Sequence, residues 1–454
     1  MPDLSSLSIQ GRIVTSDDSD WDELRQAFNL VADQHPAAVA MVRSADDVAK
    51  VIGYARSNDL RVTAQGTGHG AMALPSLGET ILIKTGAMKR IDIDAENRTA
   101  RVEAGVLGSE LGAAAHGKGL SWLPGSSATV GVVGYTLGGG LSWVGRRHGF
   151  ACNHVAAIEV VTADGEARQV DADATPDLFW ALRGGGGGYA IVTALHLRLL
   201  DISEVYGGAL LFPAEVGVDG VRAARDWAAG VSEDVTSNIR FLTPPPVPDV
   251  PEPIRGKPLF VVSAACIGSQ SEGEKAIAPL REIGEPIIDT FDQIPTSALS
   301  HVDMDPEQPV PALGHSALIG DLPDDAVEAF AEVAGPESGT PLLLSSLRQT
   351  GGALSRPAEN AGALEKLDGE FVVVGIGALM DPSAADAIDA ALDRLTETMK
   401  PWSVDGSYFN FTERPCEVDA ILPEEACARL SQIKRSWDPE DVILANHAVA
   451  RAPA

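Results

Sequence analysis

The sequence is poor in basic residues, and lysine is the scarcer of the two basic types. Its 454 residues include 34 lysines and arginines against 64 aspartates and glutamates, a formal net charge of −30. Nucleic acids and anionic membrane surfaces are bound through basic patches. The composition therefore argues against both as partners. The acidity itself favours solubility and does not identify a substrate.

Cysteines and long apolar runs are also few. The four cysteines, at positions 152, 266, 416 and 427, have neither CxxC nor zinc-ligand spacing, so we expect free thiols used in packing and no metal site. No stretch approaches the ~18 apolar residues of a membrane helix. The opening residues, MPDLSSLSIQGRIV, lack the basic and apolar regions of a secretory signal. We therefore expect a cytoplasmic location and no membrane partner.

Glycine, by contrast, is abundant, and three dense blocks lie in the first 200 residues. The first block, QGTGHG at residues 65–70, follows a strand-like run. Closely spaced glycines permit positive φ and let backbone N–H groups converge on a phosphate. Residues 66–71 also match the dinucleotide fingerprint GxGxxA. In a dinucleotide-binding fold, however, the loop with this fingerprint leads directly into a helix. Here Pro75 and a second strand at Thr80 to Lys84 follow. We predict a strand–loop–strand unit with one histidine, His69, in the loop.

The second block is PGSSATVGVVGYTLGGGL at residues 124–141, and the third is RGGGGGYAIVT at residues 183–193. Each interior glycine costs a helix or strand about 0.5–1 kcal/mol. Such density is tolerated where a flat or anionic ligand must lie against bare backbone. The five consecutive glycines of the third block precede a buried strand, which is typical of close approach rather than of a flexible linker.

The rest of the pattern divides the chain. Residues Asp18 to Gln34 are predicted to form a short amphipathic helix, and Ser44 is expected to cap a helix that runs to about Asn58. Beyond residue 205, strands such as EFVVVGIGALM at residues 370–380 alternate with helices, and no glycine-dense block occurs. We predict an α+β fold with a second domain over residues 205–405.

Taken together, the motifs resemble the berberine bridge enzyme-like FAD-linked oxidases of the vanillyl-alcohol oxidase superfamily. The resemblance rests on the three glycine blocks and on RQTGGALSR (348–356), SYFNF (407–411) and DPEDVILANHAV (438–449). It implies a PCMH-type FAD-binding domain of two subdomains, formed by residues 1–204 with the returning segment 406–454. It also implies a substrate domain over residues 205–405, with an antiparallel sheet covered by helices.

The resemblance further implies FAD as cofactor, bonded covalently through His69 to the flavin 8α carbon. Ser127 stands where many members carry a cysteine that makes a second covalent bond, so we expect a single linkage. Asn153 and His154 replace an Asp-Asn pair of the family, which leaves that contact open. The other implied cofactor-binding residues are Gln65, Gly66, Thr67, Gly68, Gly70, Gly125, Ser126, Ser127, Val130, Gly131, Gly134, Tyr135, Gly140, Ile191, Val192, Asn410 and Asn446.

The implied catalytic residues are Tyr408, which faces the flavin in the family, and Tyr135, beside the ring. A phenol with a pKa of about 10 is a poor base at neutral pH, so Tyr408 needs a nearby cation to lower its pKa. Val130 resembles the side chain of members whose flavin is open to oxygen.

The expected function is an FAD-dependent oxidase that acts on an alcohol, a sugar hydroxyl or a secondary amine, with O₂ as acceptor and H₂O₂ as product. Two alternatives stay open: a flavin-carrying protein that sequesters a drug or natural product, and a dehydrogenase that uses another acceptor.

Overall fold

The computed structural model describes residue 4 and residues 7–447, so the predicted C-terminal segment is described as far as His447. This part of the chain forms three β-sheets with α-helices packed around them, which confirms the α+β class. None of the α-helices in these residues is both long and apolar enough to cross a bilayer.

The first sheet has four strands in the order β1-β2-β4-β3. Ser44 caps the second helix as predicted, because its side chain accepts a hydrogen bond from the Asp47 N–H. The helix predicted over Asp18 to Gln34 is wrong beyond its first turn, since the Phe28 N–H pairs with the Thr67 carbonyl instead. The elements are β1 (Arg12–Val14), α1 (Trp21–Leu24), β2 (Ala38–Met41), α2 (Ala45–Ser57), β3 (Arg61–Gln65) and β4 (Thr80–Lys84).

The second sheet has five strands in the order β5-β6-β9-β7-β8, and its paired strands run antiparallel. The second glycine block lies in this part of the chain. It contains a short helix that starts just after Gly131. The elements are β5 (Ile91–Asp94), β6 (Thr99–Glu103), α3 (Gly108–His116), α4 (Val132–Leu137), α5 (Gly145–His148), β7 (Val155–Val161), β8 (Ala167–Val170), α6 (Pro176–Ala181) and β9 (Ile191–Arg198).

The third sheet is antiparallel, in the order β13-β10-β12-β11-β16-β17-β15, with β14 beside β10. One face packs its apolar side chains on helices. On the other face, Leu318 and Val372 pack with Leu354 and Tyr408 toward the glycine blocks. The elements are β10 (Glu204–Pro213), α7 (Gly217–Gly230), β11 (Val235–Leu242), β12 (Leu259–Cys266), α8 (Gln270–Ile277), β13 (Ile288–Asp289), β14 (Asp292–Pro295), β15 (Ala312–Ile319), α9 (Asp324–Ala334), β16 (Leu344–Gln349), β17 (Phe371–Ala378) and α10 (Ala385–Met399).

The last helix, α11 (Glu424–Trp437), packs on α6, and the chain then runs beside β3. The Val62 N–H donates to the Val442 carbonyl, and the Leu444 N–H donates to the Val62 carbonyl, both at 2.8 Å. The C-terminal segment therefore adds to the first sheet. The domain boundaries at residues 204 and 405 stay a prediction.

A buried ion pair fixes this return of the chain. The Asp438 carboxylate, whose side chain is fully buried, accepts the N–H groups of Val442 and Ile443 at 2.8 Å and the Lys434 ammonium at 2.6 Å. The same ammonium donates to the carbonyls of Gly188 and Ile443. Lys434 thus joins the third glycine block to the C-terminal segment.

We expect Asp438→Ala to destabilise the protein by at least about 1–3 kcal/mol, because it leaves two buried backbone N–H groups without their acceptor, while Lys434 keeps Asp441 and two carbonyls as partners. Urea unfolding measures the change. The matched control is Glu440→Ala, which removes an exposed partner of Arg56 only two residues away. Equal effects of the two variants would contradict the role assigned to Asp438.

Candidate functional site

The first glycine block forms an open loop at the end of β3. Gly68 has a φ of +91°, a conformation that a residue with a side chain rarely adopts. Within the described residues, the backbone N–H groups of residues 66–70 donate to no protein acceptor. Five successive N–H donors without a protein acceptor are available to an anion such as a pyrophosphate.

His69 is held in this loop in a neutral form. Its Nε2 lies 3.2 Å from Thr129 Oγ1, and the Phe28 ring stacks on the imidazole with centroids 3.8 Å apart. Burial lowers the pKa of His69 to about 4, so the ring is uncharged at neutral pH. A neutral imidazole keeps the lone pair that a bond to carbon requires. No motif in the sequence pointed to Phe28.

The second glycine block faces His69 from the other side. Ser127 Oγ lies 3.3 Å from Thr129 Oγ1, the hydroxyl that also contacts the imidazole. Asn446, from the C-terminal segment, lies beside Gly70. The structure therefore brings together the following predicted residues, all exposed or partly exposed except Gly131: Gly66, Thr67, Gly68, His69, Gly70, Gly125, Ser126, Ser127, Val130, Gly131, Gly134 and Asn446.

These residues fit FAD. The unpaired N–H groups of residues 66–70 suit its pyrophosphate, and His69 offers a neutral nitrogen for the flavin 8α carbon. The two loops present bare backbone and small side chains, as a flat ring requires. When bound, FAD supplies the hydride-accepting chemistry.

Other predicted contacts serve the packing around this site. Gly140, with a φ of +82°, is buried against Tyr135 and Ala151, and an added Cβ would lie 2.8 Å from Tyr135 Cε1. The structure thus packs Gly140 on an aromatic ring, and its contact with a cofactor stays a prediction. Gly125 faces the other edge of the same ring, where an added Cβ would lie 2.9 Å from Cε2. The Tyr135 hydroxyl donates to the Leu123 carbonyl.

Three further predicted residues are buried in the sheets. Gln65 ends β3, donates through Nε2 to the Gln26 carbonyl, and leaves its Oε1 without a protein partner. Ile191 and Val192 begin β9 and pair with β7. Their side chains lie in apolar cores, so only their backbone is available to a cofactor.

Tyr408 lies in the core beneath the second glycine block. Its hydroxyl oxygen accepts the Leu141 N–H at 2.7 Å and an Asn410 Nδ2–H at 3.1 Å, and Asn410 also donates to the Tyr135 carbonyl at 2.9 Å. Burial raises the pKa of Tyr408 above its ordinary value. Among the described residues, the structure therefore does not show the cation that we expected to lower the pKa of Tyr408. Tyr408 is a neutral hydrogen-bonding group here.

Buried charges form a cluster on the face of the third sheet that opposes the glycine blocks. Asn238 and Arg240 come from β11, Arg348 from β16, and Asp303 from the loop before β15. Asp303 Oδ2 accepts Asn238 Nδ2 at 3.0 Å and lies 3.5 Å from Arg348 Nη1. Asp303 Oδ1 lies 3.1 Å from Arg240 Nη2. We call these four residues the sheet-face cluster.

Several polar atoms of the sheet-face cluster have no protein partner. They are Nε of Arg240, Nε and Nη2 of Arg348, and Oδ1 of Asn238; Nε1 of the neighbouring Trp143 is likewise unpaired. Each unpaired buried polar group costs about 1–3 kcal/mol. A water or a ligand that accepts these hydrogen bonds would remove that cost. The sequence signal was a single arginine inside each of two otherwise uncharged strands, NIRFL and LSSLRQ.

The structure also describes the four cysteines and the side chains that could ligate a metal. Each of the four cysteines is free. In the described part of the chain, no group of three or more histidine, cysteine, aspartate or glutamate side chains is arranged to hold a metal ion.

Comparison with known proteins agrees with this geometry. Residues 36–171 match the family model of an FAD binding domain. The chain is 27% identical to (R)-6-hydroxynicotine oxidase of Paenarthrobacter nicotinovorans, over 98% of this chain and 97% of that protein.

Solved structures show the same fold. Wild-type BBE-like 1 of Physcomitrella patens superposes with a TM-score of 0.83 at 16% identity, covering 98% of each chain. Glucooligosaccharide oxidase from Acremonium strictum, described with a 6-S-cysteinyl, 8α-N1-histidyl FAD, gives 0.80 at 21% identity, again over 98% of each chain. The chain is an FAD-linked oxidoreductase with an FAD binding domain, and it has the fold of the berberine bridge enzyme-like structures.

Proposed function

We propose that the protein is a cytoplasmic oxidase that transfers a hydride from an alcohol, a sugar hydroxyl or a secondary amine to FAD and passes the electrons to O₂, giving H₂O₂. The observation that carries the proposal is the loop of residues 66–70, with five unpaired N–H groups around a neutral histidine. The full-length similarity to an oxidase of a hydroxynicotine supports a small organic substrate.

We further propose that FAD is attached at one point only, through His69. Thr129 and Phe28 hold the imidazole from its edge and its face. The side chain on the opposing loop is Ser127, whose hydroxyl cannot form the thioether that a cysteine makes. This distinguishes the chain from the doubly linked glucooligosaccharide oxidase.

Replacement of His69 by alanine is expected to abolish covalent attachment of FAD. Acid precipitation of the wild-type protein should leave the yellow colour in the pellet, and that of His69→Ala should release it into the supernatant. Exposed His35, changed to alanine, serves as the control and should keep the colour in the pellet. Flavin released from the wild-type protein would refute the histidyl link.

Replacement of Val130 by leucine is expected to slow the reaction with oxygen, since a larger side chain on this partly exposed residue would cover the flavin. After anaerobic reduction with dithionite, mixing with O₂ should reoxidise the flavin at least about tenfold more slowly than in wild type, a barrier rise of about 1.4 kcal/mol. Val130→Ala is the control and should react as fast as wild type. A wild-type flavin that stays reduced in air would indicate a dehydrogenase instead.

Because burial raises the pKa of Tyr408 above its ordinary value, we expect this residue to stay protonated between about pH 6 and pH 9. Tyr408→Phe should therefore leave the shape of the pH profile of flavin reduction unchanged. It should lower stability, because the Leu141 N–H loses its acceptor. Stopped-flow reduction and urea unfolding measure the two effects. A rise in rate with pH that disappears in the variant would restore Tyr408 as the catalytic base.

A further inference from the structure

Arg348 is a buried arginine with its best donor edge unused. The residue is 4% exposed on β16, on the sheet face that opposes the second glycine block. Its Nη1 lies 3.5 Å from Asp303, whereas Nε and Nη2 have no partner. The N–H groups of Nε and Nη2 lie on the same side of the planar guanidinium. Together they donate two parallel hydrogen bonds, the geometry that matches a carboxylate.

Asp303 does not account for this arginine. The aspartate is already held by Asn238 at 3.0 Å and by Arg240 at 3.1 Å, both closer than Arg348. A purely structural ion pair would direct the two-donor edge of Arg348 at the carboxylate. The contact made instead is the longest of the three and uses Nη1 alone.

The surroundings of Arg348 place its guanidinium beside the segment that contains the second glycine block. The guanidinium lies over the Trp143 ring, 4.7 Å from its centre, and its charge acts on the hydroxyl of Tyr135. Tyr135 belongs to the second glycine block, and Trp143 lies two residues after the end of that block. The guanidinium therefore lies between the third sheet and the second glycine block.

The unpaired atoms here are mostly donors. Four N–H groups lack an acceptor: one on Arg240, two on Arg348 and one on Trp143. Two fully buried acceptor atoms also lack a hydrogen bond, on Asn238 and Asp303, and the latter is already ion-paired with Arg240. The carboxyl of Asp305 also interacts with the charges of Arg240 and Arg348, but it forms no ion pair with either in the described structure. A ligand group that suits this set carries acceptor oxygens and no donors, and a carboxylate does so with the planar shape that the guanidinium edge needs.

We propose that Arg348 binds a carboxylate of the substrate, so that the alcohol or amine which is oxidised belongs to an organic acid. The inference rests on the proposed function for the oxidised group, but the acid-binding site itself does not depend on the reaction. Trp143 covers the face of the guanidinium, and the Asn238–Asp303–Arg240 contacts hold the floor of the site. Arg348 thereby selects the substrate by charge and shape.

Binding of matched acid and amide pairs tests this inference. Isothermal titration calorimetry of the flavin-loaded protein, with the visible flavin spectrum recorded in parallel, would compare acetate with acetamide, benzoate with benzamide, and phenylacetate with phenylacetamide. Each pair has one shape and differs in the carboxylate. We expect at least one acid to bind at least about tenfold more tightly than its amide.

Variants then locate the preference. Arg348→Gln should remove it, and Arg348→Lys, which keeps the charge but loses the paired donors, should weaken binding of the acid more than that of the amide. Arg356→Gln is the matched control, since this exposed arginine on the same segment pairs with Glu233 and should leave the preference intact. Far-ultraviolet circular dichroism and flavin content verify folding of each variant.

Two results would overturn the inference: no acid binds better than its amide in the wild-type protein, or Arg348→Gln keeps the preference. The first comparison needs no variant, so it decides even if both replacements of Arg348 fail to fold. If the acids bind preferentially while reduced protein does not react with O₂, the oxidase proposal fails and the acid site stands. If neutral alcohols alone support oxygen uptake and no acid is preferred, the acid site fails and the oxidase proposal stands.

Discussion

The ion pair between Lys434 and Asp438 holds together parts of the chain that are far apart in sequence. Through Lys434 it binds the third glycine block at Gly188, and through Asp438 it shapes the turn into the last described strand-like segment. That segment lies beside β3, which ends in the loop of His69. The C-terminal Asn446 reaches the loop for this reason. The cofactor site is thus assembled by a contact that is remote from any reacting atom.

Much of this site was predictable because its signals are local. Each of its signals lies within a few consecutive residues: a glycine loop, a lone histidine and a run of glycines without side chains. Their conformations follow from what glycine permits and other residues do not. The structure places His69 and Ser127 on either side of Thr129, and their roles toward FAD stay predictions. Helices with an evident cap, such as the one after Ser44, were predictable for the same reason.

The substrate side was not predictable, because its contacts depend on strand register. Asn238 and Arg348 face each other across two strands that are over a hundred residues apart in sequence. A shift of either strand by one residue would turn its arginine to the helix-covered face. Tyr408 shows a different limit. Its chemical character depends on what surrounds it. Burial raises its pKa, although the hydrogen bond from the Leu141 N–H acts in the opposite direction, so the side chain is neutral where family resemblance implied a base.

The stacking of Phe28 on His69 has a consequence for the order in which the holoprotein is made. Phe28 is held by the carbonyl of Thr67, so the ring that braces the imidazole is itself tied to the same loop. These contacts restrict the rotation of the imidazole in the folded chain, and neither of them involves a cofactor. If FAD bonds to His69 as proposed, the flavin would meet a nitrogen whose orientation is already set by Phe28 and Thr129. The proposed attachment would then depend on correct folding of this loop.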